Sequence, residues 1–345
     1  MPTIRVAIAG ATGYAGEELI RLLLHHPHVQ LSYLAASAKW ERPVPAADVF
    51  PRVAGRLSLP IEALDPARLA QSDLVFLALP HGSAMNLAPK LLEAGRRVVD
   101  LSGDFRLKDP SLYTTWYEAP HAAPSWLSSA DVAYGLSEFY GPQVAKARLV
   151  ANPGCYATSI LLGCLPALEA GLINEGTIIV DAKSGLTGAG RKADDALLFS
   201  EMSENLRAYK VNAHQHAPEI LQEIQRLTGR RARMFFVPQV VPARRGMVSM
   251  IYASTSATTE QVAAVYRQRY SPERTPCVRV RASGFPQMKD VVGTNLCDIG
   301  LLVDPALRQL LIVSALDNLT KGAAGQAIQN MNLMYGWPET TGLTG

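Results

Sequence analysis

The residue best suited to chemistry in this sequence is a cysteine at the predicted start of a helix. Residues 149–151 form an apolar run that predicts a buried strand, residues 152–154 (Asn-Pro-Gly) are a turn, and residues 156–168 predict an apolar helix. The Cys155 thiol therefore lies at or just before a helix N-terminus, where backbone N–H groups and the helix dipole stabilise a thiolate or an oxyanion. The alternative is a buried and inert cysteine, which is the commoner fate of an isolated thiol.

Two histidines, His214 and His216, are the candidate proton carriers for such a thiol. Residues 220–227 have apolar side chains at helical spacing, and Pro218 suits the first turn of that helix, so His216 lies at or just before its start. A His-x-His pair also occurs in metal sites, but no third ligand is suitably spaced, and we expect no metal. The sequence favours a histidine that serves a nucleophilic cysteine, with a solvent-facing histidine as the alternative.

A glycine-rich turn follows the first predicted strand, residues 5–9, and precedes a predicted helix. In a dinucleotide-binding turn of this kind, Gly10 permits the tight bend, Gly13 lets the backbone approach a pyrophosphate, and Gly16 allows close packing of the helix. Glycines also serve in ordinary turns, but the position between a strand and a helix favours a bound dinucleotide. The expected cofactor-binding residues of this turn are Gly10, Ala11, Thr12, Gly13, Tyr14, Ala15 and Gly16.

The residues after the second predicted strand, 30–36, indicate which dinucleotide would bind. An NAD-binding unit usually places an Asp or Glu there to accept a hydrogen bond from the ribose 2′-hydroxyl. This chain has Ser37, Lys39 and Arg42 instead, a hydroxyl and two cations that suit a 2′-phosphate. The sequence therefore favours NADP over NAD, unless the two cations are ordinary surface charges.

Two further loops are expected at the same edge of the sheet, because the carboxyl ends of parallel strands lie together. Pro80 opens the loop after the predicted strand 73–79 and is placed to line the cofactor cleft. Arg106 follows the predicted strand 97–101 and is suited to clamp a phosphate or a carboxylate, unless it pairs with Asp104.

The second half of the chain has a different pattern. A loop of glycine and small polar residues follows the predicted strand 177–182, and its Ser184, Arg191 and Lys192 suit an anionic substrate, although linkers have similar compositions. Successive strands with few helices between them predict a largely antiparallel sheet, and hence an α+β second domain. These strands are predicted at residues 234–241, 247–254, 296–303 and 309–315. A small-residue helix after residue 317 is expected to return to the first domain.

Length and composition limit the class of protein. At 345 residues, 48% of them hydrophobic and 18% charged, the chain suits two globular domains. A net charge of +3 without a Lys/Arg tract does not suggest a nucleic-acid partner, and no apolar stretch approaches the ~18 residues of a membrane span. Four cysteines without close pairing, and no signal peptide, indicate a soluble protein of the reducing cytoplasm.

Together these features define a narrow chemistry. A thiolate that attacks an acyl phosphate expels phosphate and leaves a thioester, which a nicotinamide hydride then reduces to an aldehyde. A histidine serves as the proton carrier. The thioester divides a difficult displacement into two easier steps. The sequence has no GxSxG motif, which argues against a serine hydrolase of the α/β type.

Seven segments resemble the N-acetyl-gamma-glutamyl-phosphate reductases, and the resemblance extends along essentially the whole chain. They are residues 10–16, 79–82, 100–107, 152–158, 184–191, 214–220 and 317–322. The resemblance implies an NADPH-dependent enzyme of arginine biosynthesis, which reduces an acyl phosphate to N-acetylglutamate semialdehyde. It also implies a homo-oligomer, a dimer or a tetramer.

The fold class that the resemblance implies is α/β, with two domains. Residues 1–151 and about 317–345 would form an NADP-binding domain with a Rossmann-type doubly wound sheet. Residues 152–316 would form an α+β catalytic and oligomerisation domain of the semialdehyde dehydrogenase and glyceraldehyde-phosphate dehydrogenase type.

The resemblance also implies roles for individual residues. Cys155 is the nucleophile, and the segment 214–220 supplies the acid–base groups, with His216 favoured over His214 and Glu219 beside them. Further contacts to NADP are expected from Ser184, Gly185 and Asn318, and contacts to the substrate from Arg106, Asn152, Arg191 and Lys192. One departure is visible: the family usually reads His-Arg-His, whereas this chain has Gln215, which puts in doubt a charge at that position.

The sequence leaves three other assignments open. A lysine-pathway reductase of carrier-bound aminoadipyl phosphate resembles the chain in fold and carboxy-terminal motifs, but residues 152–153 and 184–191 look more like the arginine enzyme. Aspartate-semialdehyde dehydrogenase is a more distant option. A non-enzymatic NADP-binding regulator of the same fold would be expected to lack the cysteine or the histidine, and both are present.

Overall fold

The computed structural model describes residues 3–174, 176 and 178–343. The chain divides into two compact units, Met1–Pro153 with Ala323–Gly345, and Gly154–Gly322. The return to the first unit comes at Ala323, whereas the sequence suggested residue 317. Asp317 and Asn318 belong to the second unit because their side chains accept hydrogen bonds from its backbone, at Gly293 and Gly246.

The first unit contains an eight-stranded sheet. Its strands are β1 (Ile4–Ala9), β2 (Val29–Ala35), β3 (Val44–Pro45), β4 (Pro60–Glu62), β5 (Leu74–Leu77), β6 (Arg97–Asp100), β7 (Val132–Tyr134) and β8 (Leu149–Ala151). Their order across the sheet is β3-β4-β2-β1-β5-β6-β8-β7. The edge pair β3–β4 is antiparallel and the other described pairs are parallel. The doubly wound sheet expected from the sequence is confirmed.

Helices alternate with these strands, as a parallel sheet requires. They are α1 (Tyr14–Leu23), α2 (Ala46–Val49), α3 (Pro66–Leu69), α4 (Ala84–Glu93), α5 (Ser111–Tyr117) and α6 (Ser137–Lys146). The strand β5 reads Leu-Val-Phe-Leu and is buried at every residue, because a parallel strand is covered on both faces.

The strand order reverses at β1, which has β2 on one side and β5 on the other. Ligands of open α/β sheets bind beyond the carboxyl ends of the strands at such a point. The loops that follow β1 and β5 are in contact there, since a Cβ built on Gly10 would lie 2.1 Å from the carbonyl oxygen of Ala78. This edge is the expected cofactor edge of the first unit.

The second unit contains a seven-stranded sheet. Its strands are β9 (Ile178–Gly185), β10 (Arg207–Ala208), β11 (Met234–Val241), β12 (Met247–Ser254), β13 (Val278–Val280), β14 (Cys297–Asp304) and β15 (Gln309–Leu316). The order is β10-β11-β9-β12-β15-β14-β13, and four of the six described pairs are antiparallel. The largely antiparallel sheet is confirmed. Thr177, where the sequence predicted the start of β9, lies outside the described residues.

Helices cover one face of this second sheet. They are α7 (Cys155–Glu169), α8 (Phe199–Met202), α9 (His216–Thr228), α10 (Thr259–Arg269) and α11 (Met288–Val291). The helix α7 is apolar on all sides and buried, and Ser159 Oγ donates a hydrogen bond to Ser249 Oγ at 2.9 Å. Tight packing of α7 needs Gly163, where a Cβ would lie 2.6 Å from Ile251. The last helix, α12 (Gly325–Met334), returns to the first unit.

The opposite face of the second sheet carries a row of apolar side chains across five strands. Strand register aligns these residues in the order Phe235, Ile179, Tyr252, Leu311 and Leu302. Phe235 is 51% exposed, Ile179 48% and Leu302 47%. Apolar side chains gathered into one exposed row are typical of a surface that another molecule covers.

The helices of the described part of the chain can be compared with membrane-spanning helices in length and hydropathy. Among those residues, every helix is too short or too polar to cross a lipid bilayer.

Candidate active site

Cys155 is the first residue of α7, and Gly154 is the N-cap of that helix. A glycine has no side chain to bond to the N–H groups of the first turn, so no N-cap side chain covers the end of the helix at which Cys155 lies. All four cysteines lie within the described residues, and Cys155 is partly exposed whereas the other three are buried. Burial raises the pKa of Cys164 to about 12, which keeps that thiol protonated. Cys155 is therefore the cysteine placed to react.

The imidazole of His216 packs directly on the backbone of Gly154, beside the cysteine. A Cβ built on Gly154 would lie 2.3 Å from His216 Nε2 and 2.5 Å from Cε1. His216 is the first residue of α9, so the N-termini of two helices meet at this point. His214 Nδ1 accepts a hydrogen bond from the His216 N–H at 3.1 Å, and the two rings are 4.6 Å apart. The ring that borders the turn before Cys155 is thus that of His216.

Glu219 connects the same two helix starts. Its carboxylate is fully buried, and Oε1 accepts a hydrogen bond from the Gly154 N–H at 2.9 Å. Glu219 lies one turn after His216 on α9, so both side chains reach Gly154 from the same face of the helix. This contact holds the turn at Gly154. The structure therefore gives Glu219 a means of positioning the backbone on which the imidazole packs.

A second glycine borders the cysteine. A Cβ built on Gly322 would lie 2.8 Å from Cys155 Cβ, so no larger residue fits there without displacing the nucleophile. The segment that ends at Gly322 is held by Arg245, whose Nε is 2.7 Å from Asp317 Oδ2 and whose Nη2 donates to Thr320 Oγ1 at 2.8 Å. Sequence reasoning missed Arg245 because the hairpin between β11 and β12 is remote from residues 317–322 along the chain.

Two tyrosine hydroxyls also lie near the nucleophile. Tyr156 follows Cys155 on α7, and its hydroxyl donates to the carbonyl oxygen of Gln239 at 3.2 Å. The Tyr209 hydroxyl donates to the Tyr156 hydroxyl at 3.4 Å. Burial, together with the nearby charge of a Cys155 thiolate, raises the pKa of Tyr209 to about 12. Both hydroxyls therefore remain protonated at neutral pH. No motif in the sequence points to Tyr209, because it precedes the histidine segment in an irregular loop.

Ser184, Gly185 and Asn318, for which contacts to NADP are predicted, lie in the second unit. Asn318 Oδ1 accepts from the Gly246 N–H at 2.7 Å, and its Nδ2 donates to Thr187 Oγ1 at 3.0 Å. Ser184 is buried, and its Oγ donates to the carbonyl oxygen of Gly185 at 3.1 Å. The two bonds of Asn318 connect the loop after β9 to the hairpin after β11. A contact of these three residues with NADP stays a prediction.

Arg191 and Lys192 follow the 3-10 turn Leu186–Ala189, and both side chains are exposed. Exposure leaves the two cations accessible from solution, as binding of an anionic substrate requires. That role stays a prediction for both residues.

Asn152 and Arg106, for which substrate contacts are predicted, lie in the first unit and bond to its own groups. Asn152 Nδ2 donates to the carbonyl oxygen of Ala323 at 3.1 Å, and its Oδ1 accepts from Asn330 Nδ2 at 3.0 Å. Arg106 is buried, and it donates from Nε to the Asn152 carbonyl oxygen at 2.8 Å and from Nη2 to that of Leu101 at 2.9 Å. Both side chains thus fix the backbone where β8 ends.

The glycine-rich turn has the geometry of a dinucleotide-binding loop. Gly10 has φ +88°, and the N–H groups of Gly10 and Ala11 both donate to the Ala35 carbonyl oxygen at 2.8 Å. Gly16 packs so closely that a Cβ would lie 2.3 Å from the Gly10 carbonyl oxygen. Gly13, the N-cap of α1, differs: its φ is −76°, and a Cβ would lie no closer than 3.5 Å to its neighbours. Neither backbone nor packing requires a glycine at position 13, so the space fits a pyrophosphate.

The other predicted cofactor residues lie at the carboxyl ends of neighbouring strands. Ser37 and Lys39 are exposed beyond β2, and Pro80 is exposed beyond β5. Asp104 holds the loop that Pro80 opens, because its carboxylate accepts hydrogen bonds from the N–H groups of Gly82 and Met85 at 2.8 and 2.9 Å.

Replacing Gly13 by alanine is expected to weaken dinucleotide binding at least about tenfold without loss of stability, because the methyl group fills space that the protein leaves open. Binding is measured by titration of the reduced dinucleotide, and stability by denaturant unfolding. Gly10→Ala is the matched comparison: positive φ and overlap with Ala78 should lower the free energy of unfolding by about 2–4 kcal/mol. Wild-type affinity in the Gly13→Ala protein would contradict the expectation.

Two protein families match consecutive parts of the chain. Residues 5–147 match the family "Semialdehyde dehydrogenase, NAD binding domain". Residues 155–318 match the family "Semialdehyde dehydrogenase, dimerisation domain". The first unit is therefore a nicotinamide dinucleotide-binding domain, and the second is of a type named for self-association.

Curated relatives match along the whole chain. N-acetyl-gamma-glutamyl-phosphate reductase of Symbiobacterium thermophilum is 48% identical, over 99% of this chain and 97% of its own length. The enzyme of that name from Geobacter metallireducens is 47% identical, over 99% of this chain and 98% of its own. Among solved structures, aspartate semialdehyde dehydrogenase II of Vibrio cholerae aligns with a TM-score of 0.72 at 19% identity, covering 97% of this chain and 99% of its own. That structure supports the fold.

Proposed function

The chain belongs to the N-acetyl-gamma-glutamyl-phosphate reductase family, and we propose that it reduces N-acetyl-L-glutamyl 5-phosphate to N-acetyl-L-glutamate 5-semialdehyde with NADPH, a step of arginine biosynthesis. The observation that carries the proposal is the packing of the His216 ring on Gly154, next to a partly exposed cysteine at the start of α7. A thiol, an imidazole and helix N–H groups meet there in a chain that also has a dinucleotide-binding domain. Acyl-phosphate reduction needs all of these groups.

The first half of the reaction uses the residues of the second unit. The Cys155 thiolate attacks the acyl carbon, the carbon–sulfur bond forms, the bond to the phosphate oxygen breaks, and phosphate leaves. The negative charge on the carbonyl oxygen is met by N–H groups of the first turn of α7, which Gly154 leaves uncapped. The product of this half is a thioester on Cys155. Such a thiol must stay reduced, which supports a cytoplasmic location.

In the second half the thioester becomes an aldehyde. A bound nicotinamide dinucleotide supplies the hydride, and the residues of the glycine-rich turn would hold its pyrophosphate. His216, whose ring lies beside Gly154, carries the protons: it passes the proton of the Cys155 thiol to the departing phosphate, and it returns a proton from solvent to the sulfur when the carbon–sulfur bond breaks. Glu219 accepts a hydrogen bond from the Gly154 N–H and so holds the turn in position against the imidazole.

NADP is proposed over NAD because of the residues beyond β2. Ser37 and Lys39 are exposed there, and a hydroxyl with an ammonium group suits a 2′-phosphate better than a 2′-hydroxyl. The test measures kcat/KM with NADP and with NAD, and compares the ratio of the two values in the wild-type protein and in Lys39→Glu. We expect the preference for NADP to fall at least about tenfold in Lys39→Glu. An unchanged ratio would contradict the assignment of Lys39.

The experiment that tests the function is the reverse assay. Wild-type protein, N-acetylglutamate semialdehyde, inorganic phosphate and NADP should produce NADPH, and omission of phosphate should abolish the signal. Activity only with a carrier-linked aminoadipyl substrate would overturn the assignment of the substrate. Dinucleotide binding without turnover of either substrate would instead indicate a non-enzymatic regulator.

We propose that a second copy of the chain packs on the apolar row of the second sheet. The row comprises Phe235, Ile179, Tyr252, Leu311 and Leu302, and it lies in the unit that matches a dimerisation domain. Twofold packing of one apolar face on its copy removes the exposed surface from water, which stabilises a dimer. Sedimentation velocity also shows whether two such dimers form a tetramer.

Replacing Ile179 by lysine is expected to weaken self-association by about a hundredfold or more, because the interface would bury an unpaired charge. The measurement is sedimentation velocity over a range of protein concentrations. Leu307→Lys is the matched control, because Leu307 is 73% exposed in the turn between β14 and β15, outside the row. An Ile179→Lys protein that associates as wild type does would exclude this face as the interface.

A further inference from the structure

Lys210 has a backbone conformation that lysine rarely adopts. Its φ is +44°, and Asn212, two residues later, has φ +55°. Asparagine tolerates this left-handed region, but for lysine the conformation is strained. A glycine or an asparagine at position 210 would be less strained, so the backbone conformation alone does not favour a lysine there.

The loop is held in place on both sides of Lys210. The Tyr209 N–H donates to the carbonyl oxygen of Pro238 at 3.1 Å. The Asn212 N–H donates to the Phe236 carbonyl oxygen at 2.9 Å, and Asn212 Oδ1 accepts from the Phe236 N–H at 3.1 Å. These bonds to β11 fix the direction in which the intervening lysine leaves the backbone.

The ammonium group of Lys210 lies against the histidine segment. Its Nζ donates to Gln215 Oε1 at 3.3 Å, and Gln215 is the N-cap of α9, between the two histidines. The preceding Tyr209 hydroxyl bonds to Tyr156, the neighbour of Cys155. An amide is neutral, so its bond orients the ammonium without neutralising the charge. Position 215, for which the resemblance suggests an arginine, thus has beside it a cation that comes from five residues earlier in the same loop.

We propose that Lys210, oriented by Gln215, binds an oxyanion of the substrate beside the Cys155 site. An exposed ammonium at the N-terminus of α9, the helix whose first residue packs on Gly154, raises the local concentration of anions and fixes one anionic group of a bound substrate. The inference rests on the proposed function only for the identity of the substrate, which carries a carboxylate and a phosphate. Either group offers the oxygen atoms that Lys210 would bind.

The first test measures thiol alkylation and needs no substrate. In Lys210→Gly, the rate at which anionic iodoacetate modifies Cys155, relative to neutral iodoacetamide, should fall about three- to tenfold. The thermal midpoint should not fall, because glycine adopts the backbone conformation without strain. The double variant Lys210→Gly/Gln215→Arg should regain the preference for iodoacetate, since it returns a cation to this position.

Arg308→Gly is the matched control for both charge and backbone. Arg308 is exposed and has φ +51°, and it lies in the turn before β15, at the opposite end of that strand from Asp317. Its replacement removes a cation and a strained backbone conformation from the same unit. The ratio of the iodoacetate rate to the iodoacetamide rate should stay unchanged. An unchanged ratio in Lys210→Gly, or an equal fall in Arg308→Gly, would overturn the proposal.

The second test identifies the anion. In the reverse assay, Lys210→Met should raise one KM about tenfold and change kcat less than about threefold. A raised KM for N-acetylglutamate semialdehyde assigns Lys210 to the carboxylate, and a raised KM for phosphate assigns it to the phosphoryl group. If neither KM changes, Lys210 does not bind the substrate. A wild-type protein inactive in this assay contradicts the proposed function alone, because the alkylation ratio is measured without substrate.

Discussion

Turnover by the Cys155→Ala protein is expected to be lower than wild type by about 10⁴-fold or more. The thiolate forms the covalent bond on which both halves of the reaction depend, so its removal eliminates the route instead of weakening one contact. No other thiol can take over, because the remaining three cysteines of the chain are buried and Cys164 has its pKa raised to about 12 by burial. The measurement is phosphate-dependent formation of NADPH.

Cys164→Ala is the control for the loss of a thiol from the same helix. Cys164 is fully buried on α7, so its replacement should cost about 1 kcal/mol of stability and leave turnover within about twofold of wild type. Iodoacetamide at neutral pH should label Cys155 first. The fraction of activity lost should equal the fraction of Cys155 that is labelled. Full turnover in Cys155→Ala, or inactivation that follows Cys164, Cys277 or Cys297, would refute the thioester mechanism.

The reactivity of this site depends on the meeting of two helix N-termini. The helices α7 and α9 begin at Cys155 and His216, and both therefore direct the positive ends of their dipoles to one place. That field favours the thiolate, the oxyanion of the intermediate and the departing phosphate alike. Two glycines make this close packing possible. A side chain at Gly154 would collide with His216, and a side chain at Gly322 would collide with Cys155.

Long strands of the second unit could be predicted from the sequence because they are runs of mostly apolar residues, many of them β-branched or aromatic. The predictions at residues 234–241 and 247–254 coincide with β11 and β12. Five strands of two or three residues were missed, namely β3, β4, β7, β10 and β13, whereas the three-residue β8 was predicted because its apolar run ends at a turn. In the first unit, β1 and β5 could be recognised by continuous apolar runs, as expected for parallel strands.

The reacting groups could be predicted for a different reason: local sequence determines their positions. A turn before an apolar helix is enough to put Cys155 at a helix start, and Pro218 after His216 is enough to put the histidine there. Some groups that surround them come from remote segments, such as Arg245 beside Asp317 and Gly322 beside Cys155. Such pairs are brought together by tertiary structure, which a single sequence does not reveal.

Arg106, whose contact with the substrate stays a prediction, illustrates what the sequence does not show. Arg106 follows a strand at the expected edge, and a cation there suits an anionic ligand. In the structure its guanidinium donates to the carbonyl oxygens of Asn152 and Leu101. A sequence shows that an arginine is present at a loop but not that backbone carbonyls compete for its donors, because the loop conformation decides that competition.

His216→Asn is expected to lower kcat by about 10²- to 10⁴-fold, the usual contribution of a positioned proton carrier. The His216 ring packs on Gly154 beside the nucleophile, whereas His214 Nδ1 accepts a hydrogen bond from the His216 backbone. His214→Asn should therefore cost less, about tenfold, because it loosens the backbone that carries the imidazole without removing the proton carrier. The same phosphate-dependent assay measures both variants.

Rescue by a small molecule separates a chemical role from a structural one. His216→Gly removes the ring and leaves a cavity against Gly154, so added imidazole should restore part of its turnover in a saturable manner. His214→Gly should not respond, because its defect lies in backbone position. If imidazole rescues His214→Gly and not His216→Gly, the two histidines exchange roles, and the packing on Gly154 no longer identifies the residue that carries the proton.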